Sequence, residues 1–423
     1  MRRLRNQADL LYDVASVYGV QFAHYALPLI TVPYLSRVLG PASWGLLAMA
    51  QAFATYGGLV IEYGFIYYGT RRVATARDAR EIEAILAGVS GARILLSVLV
   101  MVCACLAFLY VPLFRHHPVL LWSAVGAEIV KALLPNYYFY GLNRVALASL
   151  LDISARVAAA AGIFVIVHGP KDAWRVFALQ GAGAFIALLI AHRIIRMRHA
   201  VPFPRLDGAV RMLREAGNMF LFRSAHNIYV LGNAFILGLF ASPDTVGFYA
   251  GAEKINSAAV GLLSPLTTAL YPRAAGMAQT SMRRAARLTT VSLYVMGAVS
   301  LVLGALMWFG APLIVRVILG RGYTPSAGVL QILSLRAPLV AWTNVLGFQW
   351  LLALGFEKSF QRITLLALVL NVALALYFAP RFGASGMAWV VVVSQAVVAI
   401  GIQNVLQRRR VNPFAIQSDA PYA

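Results

Sequence analysis

The sequence predicts an all-α integral membrane protein of about twelve transmembrane helices, arranged as two six-helix bundles. Three observations predict it. Hydrophobic residues make up 61% of the 423 and charged residues only 12%, a composition far from that of a soluble domain. Apolar stretches of the roughly 20 residues that one bilayer crossing needs recur from end to end, long and continuous rather than alternating, so they read as helices and not as barrel strands. Finally, the 36 Lys and Arg fill every second gap between these stretches and largely avoid the others.

The first stretch, 13–35, follows a basic start from Met1 to Arg5, lacks a small-residue cleavage site and is expected to stay as the first span; it contains His24. The second, 43–66, has Glu62 near its end. The third, 84–112, carries Arg93 together with Cys103 and Cys105. Two apart on a helix, these cysteines point about 200° from each other, which disfavours a disulfide and suits two small core hydrophobes. The fourth, 118–140, holds Glu128 and Lys131 at i,i+3, and the fifth, 148–168, holds Asp152 and Arg156 at i,i+4, a pair that needs no substrate. Arg175 lies at the outer edge of the sixth, 174–195, within reach of lipid headgroups. The seventh, 215–240, carries Arg223 with His226 and Asn227 on the same face. Glu253 and Lys254 of the eighth, 246–271, are adjacent and so diverge by about 100°. After the ninth, 288–310, the tenth, 326–354, has Arg336 in mid-span and then Pro338, which can kink the helix. Stretches 359–379 and 384–406 complete the set.

The charges orient these spans. The N-terminal tail, the even-numbered gaps and the C-terminal tail hold 23 basic residues, against 6 in the odd gaps. By the positive-inside rule both termini are cytoplasmic, and the number of spans is even. The net charge of +21 is therefore mainly a topology signal. It is dispersed over loops, with no folded domain to carry a nucleic-acid groove, and attraction to anionic inner-leaflet lipid accompanies it.

The loops are short, and the longest inner one divides the chain into an N-terminal bundle (1–198), a basic cytoplasmic linker (199–214), a C-terminal bundle (215–410) and a cytoplasmic tail (411–423). The halves resemble each other. Pro41-Ala-Ser-Trp-Gly-Leu-Leu-Ala48 matches Pro243-Asp-Thr-Val-Gly-Phe-Tyr-Ala250 at an offset of 202 residues, and the same offset pairs His24 with His226. Six spans per half start both halves on the same side. That is a parallel repeat about a pseudo-twofold axis along the membrane normal, as expected of alternating-access carriers.

With Arg193 and Arg362, at span ends, counted in the cytoplasmic gaps they border, seven basic residues fall inside spans: Arg93, Lys131, Arg156, Arg175, Arg223, Lys254 and Arg336. A basic side chain at a helix centre costs about 2.5–3.5 kcal/mol on insertion scales, so it turns to a partner or a cavity. Arg156 and Arg175 have structural explanations. Arg93 can snorkel inward, and Lys131 can neutralise itself on Glu128, each against a binding role. Arg223 and Arg336 are the leading candidates to line a polar cavity, with Lys254, His24 and His226 beside them. Glu62, Glu128 and Glu253 are candidates to bind a coupling proton or Na⁺, since burial favours a protonated carboxyl, with a structural ion pair as the other reading. The net cationic interior favours an anionic ligand, and the planar Arg fork suits phosphate or pyrophosphate. No metal-ligand cluster, phosphate-loop motif or nucleophile–base set is present, so neither an enzyme nor a cofactor is expected.

Leu27-Pro-Leu-Ile-Thr-Val-Pro-Tyr-Leu-Ser-Arg-Val-Leu-Gly-Pro41, Glu62-Tyr-Gly-Phe65 followed by Gly69-Thr-Arg71, and Val246-Gly-Phe-Tyr-Ala-Gly-Ala-Glu-Lys-Ile255 continuing to Tyr271-Pro-Arg273 resemble the polysaccharide (O-antigen, Wzx-type) flippases of the MOP exporter superfamily. The resemblance implies two six-helix bundles packed as a V around a central cavity. It implies an undecaprenyl-pyrophosphate-linked glycan as substrate, carried from the inner to the outer leaflet of the bacterial inner membrane for O-antigen, capsule or exopolysaccharide assembly. It also implies membrane lipids, a coupling ion and polysaccharide polymerase machinery as partners. Two alternatives stand beside it. A drug or cation exporter of the same superfamily would want an acidic cavity. A membrane enzyme of polysaccharide assembly would want a larger outer loop than any here.

Overall fold

A computed structural model describes residues 2–200, 208–217 and 232–415. The described residues are dominated by helix and contain no strand, and eight of their helices are long and apolar enough to cross a membrane. Each of the twelve expected stretches falls on helix over most of its described length. The chain divides into two compact units, Met1–Ser224 and Ala225–Ala423.

In the first unit, α1 (Arg2–Glu62) holds both of the first two expected spans, with only Gly40 (φ 72°, ψ 170°) leaving helical geometry between them. That backbone is left-handed, which glycine enters without a Cβ penalty, and Pro41 then restarts the helix with its φ already set. A turn through Tyr63 and Gly64, both at positive φ, leads to α2 (Phe65–Ala74). α3 (Ala79–Tyr110) starts at the N-cap Asp78, whose side chain accepts the Glu81 backbone N–H at 2.8 Å. α4 (Pro112–His116) leads to α5 (Pro118–Leu133). The fourth expected span is interrupted at Leu134-Pro135 and resumes as α6 (Asn136–Gly141), because proline lacks an N–H and pushes the residue before it out of the helical region.

α7 (Val145–Ile166) and α8 (Ala173–Arg196) complete the long helices of this unit. Small residues let the backbones meet. A Cβ on Gly181 of α8 would stand 3.2 Å from Ala127 Cα of α5, and one on Gly183 would stand 2.7 Å from the Ala155 carbonyl oxygen of α7. The expected linker is helical over 208–217, where Ala209, Met212 and Ala216 form a buried stripe at helical spacing. Met212 packs against Gly88 of α3, and Glu215 accepts a hydrogen bond from the Tyr68 hydroxyl.

The second unit contains α9 (Asn233–Gly238), α10 (Pro243–Gly261), α11 (Ser264–Thr280), α12 (Met282–Ile318), α13 (Ser326–Ser334), α14 (Arg336–Trp342), a π-helical segment Thr343–Leu351, and α15 (Glu357–Arg408). α10 opens on the N-cap Ser242 with Pro243 in its first turn, so both copies of the repeated proline motif stand at a helix start. The tenth expected span does not kink at Pro338. It breaks at Leu335 and restarts, which puts Pro338 in a first turn, where its missing N–H costs nothing.

α15 carries the last two expected spans and leaves helical geometry only at Gly383 (φ 54°). Asn371 Nδ2 nevertheless donates to Ser394 Oγ at 3.1 Å across 23 residues, which a straight helix would hold about 35 Å apart. Gly401 packs on Ile363 in the same register, so α15 is an antiparallel hairpin folded at Gly383. The core of this unit gathers Ala341, Val345, Leu346, Trp350, Ile402 and Leu406, and Trp350 Nε1 donates to the Val411 carbonyl at 2.8 Å.

One expectation is corrected. Cys103 and Cys105 are free thiols, but they are exposed rather than core residues. They lie in the C-terminal half of α3, where Met101, Val102, Leu106 and Leu109 are exposed too, the composition of a lipid-facing surface.

Candidate functional site: charged side chains within the spans

Arg93, mid-way along α3, is 3% exposed. Its Nη1 donates at 2.8 Å to the Leu134 carbonyl, next to the α5–α6 break. The guanidinium carbon lies 5.1 Å from the Tyr137 ring centre and 5.9 Å from that of Phe65, both within cation–π range. Gly69 of α2 makes room for this arrangement, since a Cβ there would stand 2.6 Å from the Tyr137 ring. Glu62 is within electrostatic reach of the guanidinium. Sequence reasoning found Arg93 but missed its carbonyl partner, for which Pro135 was the available signal.

Lys131 Nζ lies 2.9 Å from Glu128 Oε1 and 2.9 Å from Gln180 Oε1. The pair foreseen from the i,i+3 spacing is present, joined by an α8 amide that the sequence gave no reason to single out. Arg156 and Asp152 pair at 2.8 Å, as their spacing implied. Arg175 pairs with Asp172 at 2.9 Å and also donates to the Ile166 carbonyl. The described intramembrane cations of this unit are therefore largely compensated within it.

The second unit differs. Arg336 opens α14, is 9% exposed, and among the described residues has no ion-pair partner, and its Nε is buried without a hydrogen bond. It lies within electrostatic reach of Tyr249, as does Glu253, and Tyr249 hydrogen bonds to Asn233. Glu253 Oε1 accepts from Ser257 Oγ at 2.6 Å, and Asn256 Nδ2 donates to the Leu333 carbonyl at 2.9 Å, close to the break that precedes Arg336. Tyr249, Asn233 and Asn256 were not foreseen, because apolar runs conceal single polar residues. Lys254 is half-buried and has no ion pair among the described residues. Arg223 and His226 lie outside the described residues, as does the side chain of His24. The described residues contain no group of three His, Cys, Asp or Glu able to hold a metal ion.

The long apolar helices define a multi-pass membrane protein. The chain belongs to the polysaccharide biosynthesis protein family, whose model matches residues 10–278. It is 28% identical over 396 residues to the "Putative O-antigen transporter" of Escherichia coli (strain K12), covering 93% of this chain and 95% of that protein. Its fold is similar to the inward closed conformation of the lipid II flippase MurJ (TM-score 0.71, 12% identity, 94% of this chain and 87% of that one). It is also similar to an inward-facing multidrug resistance MATE family transporter of the MOP superfamily (TM-score 0.67, 18% identity, 92% and 94%). The relatives are transporters, not enzymes.

Proposed function

We propose that this protein is a flippase that moves a lipid-linked oligosaccharide, an undecaprenyl-pyrophosphate repeat unit, from the inner to the outer leaflet of the bacterial inner membrane by alternating access. Both termini and the arginine-rich connections lie on the cytoplasmic side. The observation that carries the reading is Arg336, a buried mid-span guanidinium without a carboxylate partner among the described residues, in a chain related along nearly its whole length to an O-antigen transporter. An unpaired guanidinium inside a span supplies a planar fork for phosphate oxygens at a place where lipid gives none. Arg223, in the seventh expected span, is the second contributor. Glu253, beside Tyr249, is the carboxylate best placed to couple an ion to the movement.

Replacing Arg223 and Arg336 by Ala is expected to abolish polysaccharide export in a complementation assay without lowering the protein level. Arg336→Lys is expected to recover only part of it, because a point charge does not replace a fork. Normal polymer output from the double Ala variant would sink the assignment.

A further inference from the structure

We infer that Glu128, Lys131 and Gln180 form a subsite for the uncharged sugar portion of the cargo, an inference that rests on the cargo being a lipid-linked oligosaccharide. The three side chains come from α5 and α8, which the Gly181–Ala127 contact draws to backbone distance. Lys131 lies about 20 Å along α5 from its start, deep within the span. Its side chain is nevertheless 33% exposed, and that of Glu128 20%. Charged groups left open at that depth face water or a ligand rather than hydrocarbon.

A phosphate is a poor match for the site. The Glu128 carboxylate sits 2.9 Å from the ammonium, cancels its charge and repels an anion. Hydrogen-bonding capacity remains. Lys131 has three donors, of which Glu128 and Gln180 take two. Gln180 uses its oxygen on Lys131, which orients its amide nitrogen and leaves that group as a donor. Glu128 Oε2 is an acceptor beside Gly58 of α1, where a Cβ would stand only 3.1 Å away. The surface is thus neutral overall, with fixed donors and an acceptor side by side. That is the complement of a sugar's hydroxyl and acetamido groups.

The test uses the full chain in lipid nanodiscs and two probes, citronellyl pyrophosphate and the same molecule bearing two N-acetylglucosamine residues. Wild type is expected to bind the sugar-bearing probe about tenfold more tightly or better. The paired replacement Glu128→Met with Lys131→Met, and separately Gln180→Leu, should remove that gain and leave the bare probe bound as before. Exchanging an ion pair for apolar side chains together generally keeps a protein folded, and Gly58→Ala, which crowds Glu128 Oε2 and leaves the pair in place, should lose part of the gain. Variants that weaken both probes alike, variants that keep the full gain, or a wild type that binds the two probes equally would overturn the subsite. A wild type that binds neither above empty nanodiscs overturns the cargo reading itself, and the subsite with it.

Discussion

Arg93 and Arg336 are both buried arginines in mid-span, and what separates them is the neighbour each meets. Arg93 reaches a backbone carbonyl and two aromatic rings, whereas Arg336 has no ion pair among the described residues. Spacing alone made the Glu128–Lys131 and Asp152–Arg156 pairs legible, because side chains three and four apart on a helix are neighbours. Gln180 was not legible, since its approach to Lys131 depends on how α5 and α8 pack, 49 residues apart in the chain. Arg93→Met is expected to lower stability by about 1–3 kcal/mol, because it strips a buried carbonyl of its donor. Arg93→Lys should restore part of the loss, since an ammonium still donates but lacks the planar face. Thermal unfolding of the detergent-solubilised protein checks this, and a wild-type midpoint for the Met variant would contradict the role assigned to Arg93.

At the level of elements, the apolar stretches were legible because a bilayer crossing leaves a long, uniform signature, and their interruptions were not. Gly40 and Gly383 stand where connecting loops were expected, and each does with one left-handed residue what a loop would do. Periodicity cannot tell a one-residue turn from a short loop. The Leu134-Pro135 break was legible in principle through its proline, whereas the π-helical segment at Thr343–Leu351 has no sequence signal that we can name. Close packing between elements yields a prediction. Gly69→Ala and Gly141→Ala would set a Cβ 2.6 Å from Tyr137 and Val73, and overpacking of this kind costs about 1–3 kcal/mol. Gly126→Ala in the interior of α5 meets nothing within 4 Å and should be neutral or stabilising, as expected for a helix-interior glycine. Equal unfolding midpoints for the three variants would contradict the packing of α2 on α6.

For the whole molecule, the distribution of basic residues carries the proposed orientation. In a background with Cys103→Ala and Cys105→Ala, a cysteine replacing exposed Arg77 should react with a membrane-impermeant maleimide only after cells are opened. One replacing exposed His116 should react in intact cells. The opposite pattern would reverse the orientation and the direction of transport with it.

The hairpin at Gly383 bears on how the protein is made. Its two arms are held together by the Asn371–Ser394 hydrogen bond and the Gly401–Ile363 contact, and a single residue turns the chain between them. An arm that emerged alone from the ribosome would have no length of polar chain with which to wait at the far side of the bilayer. The expected unit of insertion for Glu357–Arg408 during synthesis is therefore the hairpin rather than the single helix.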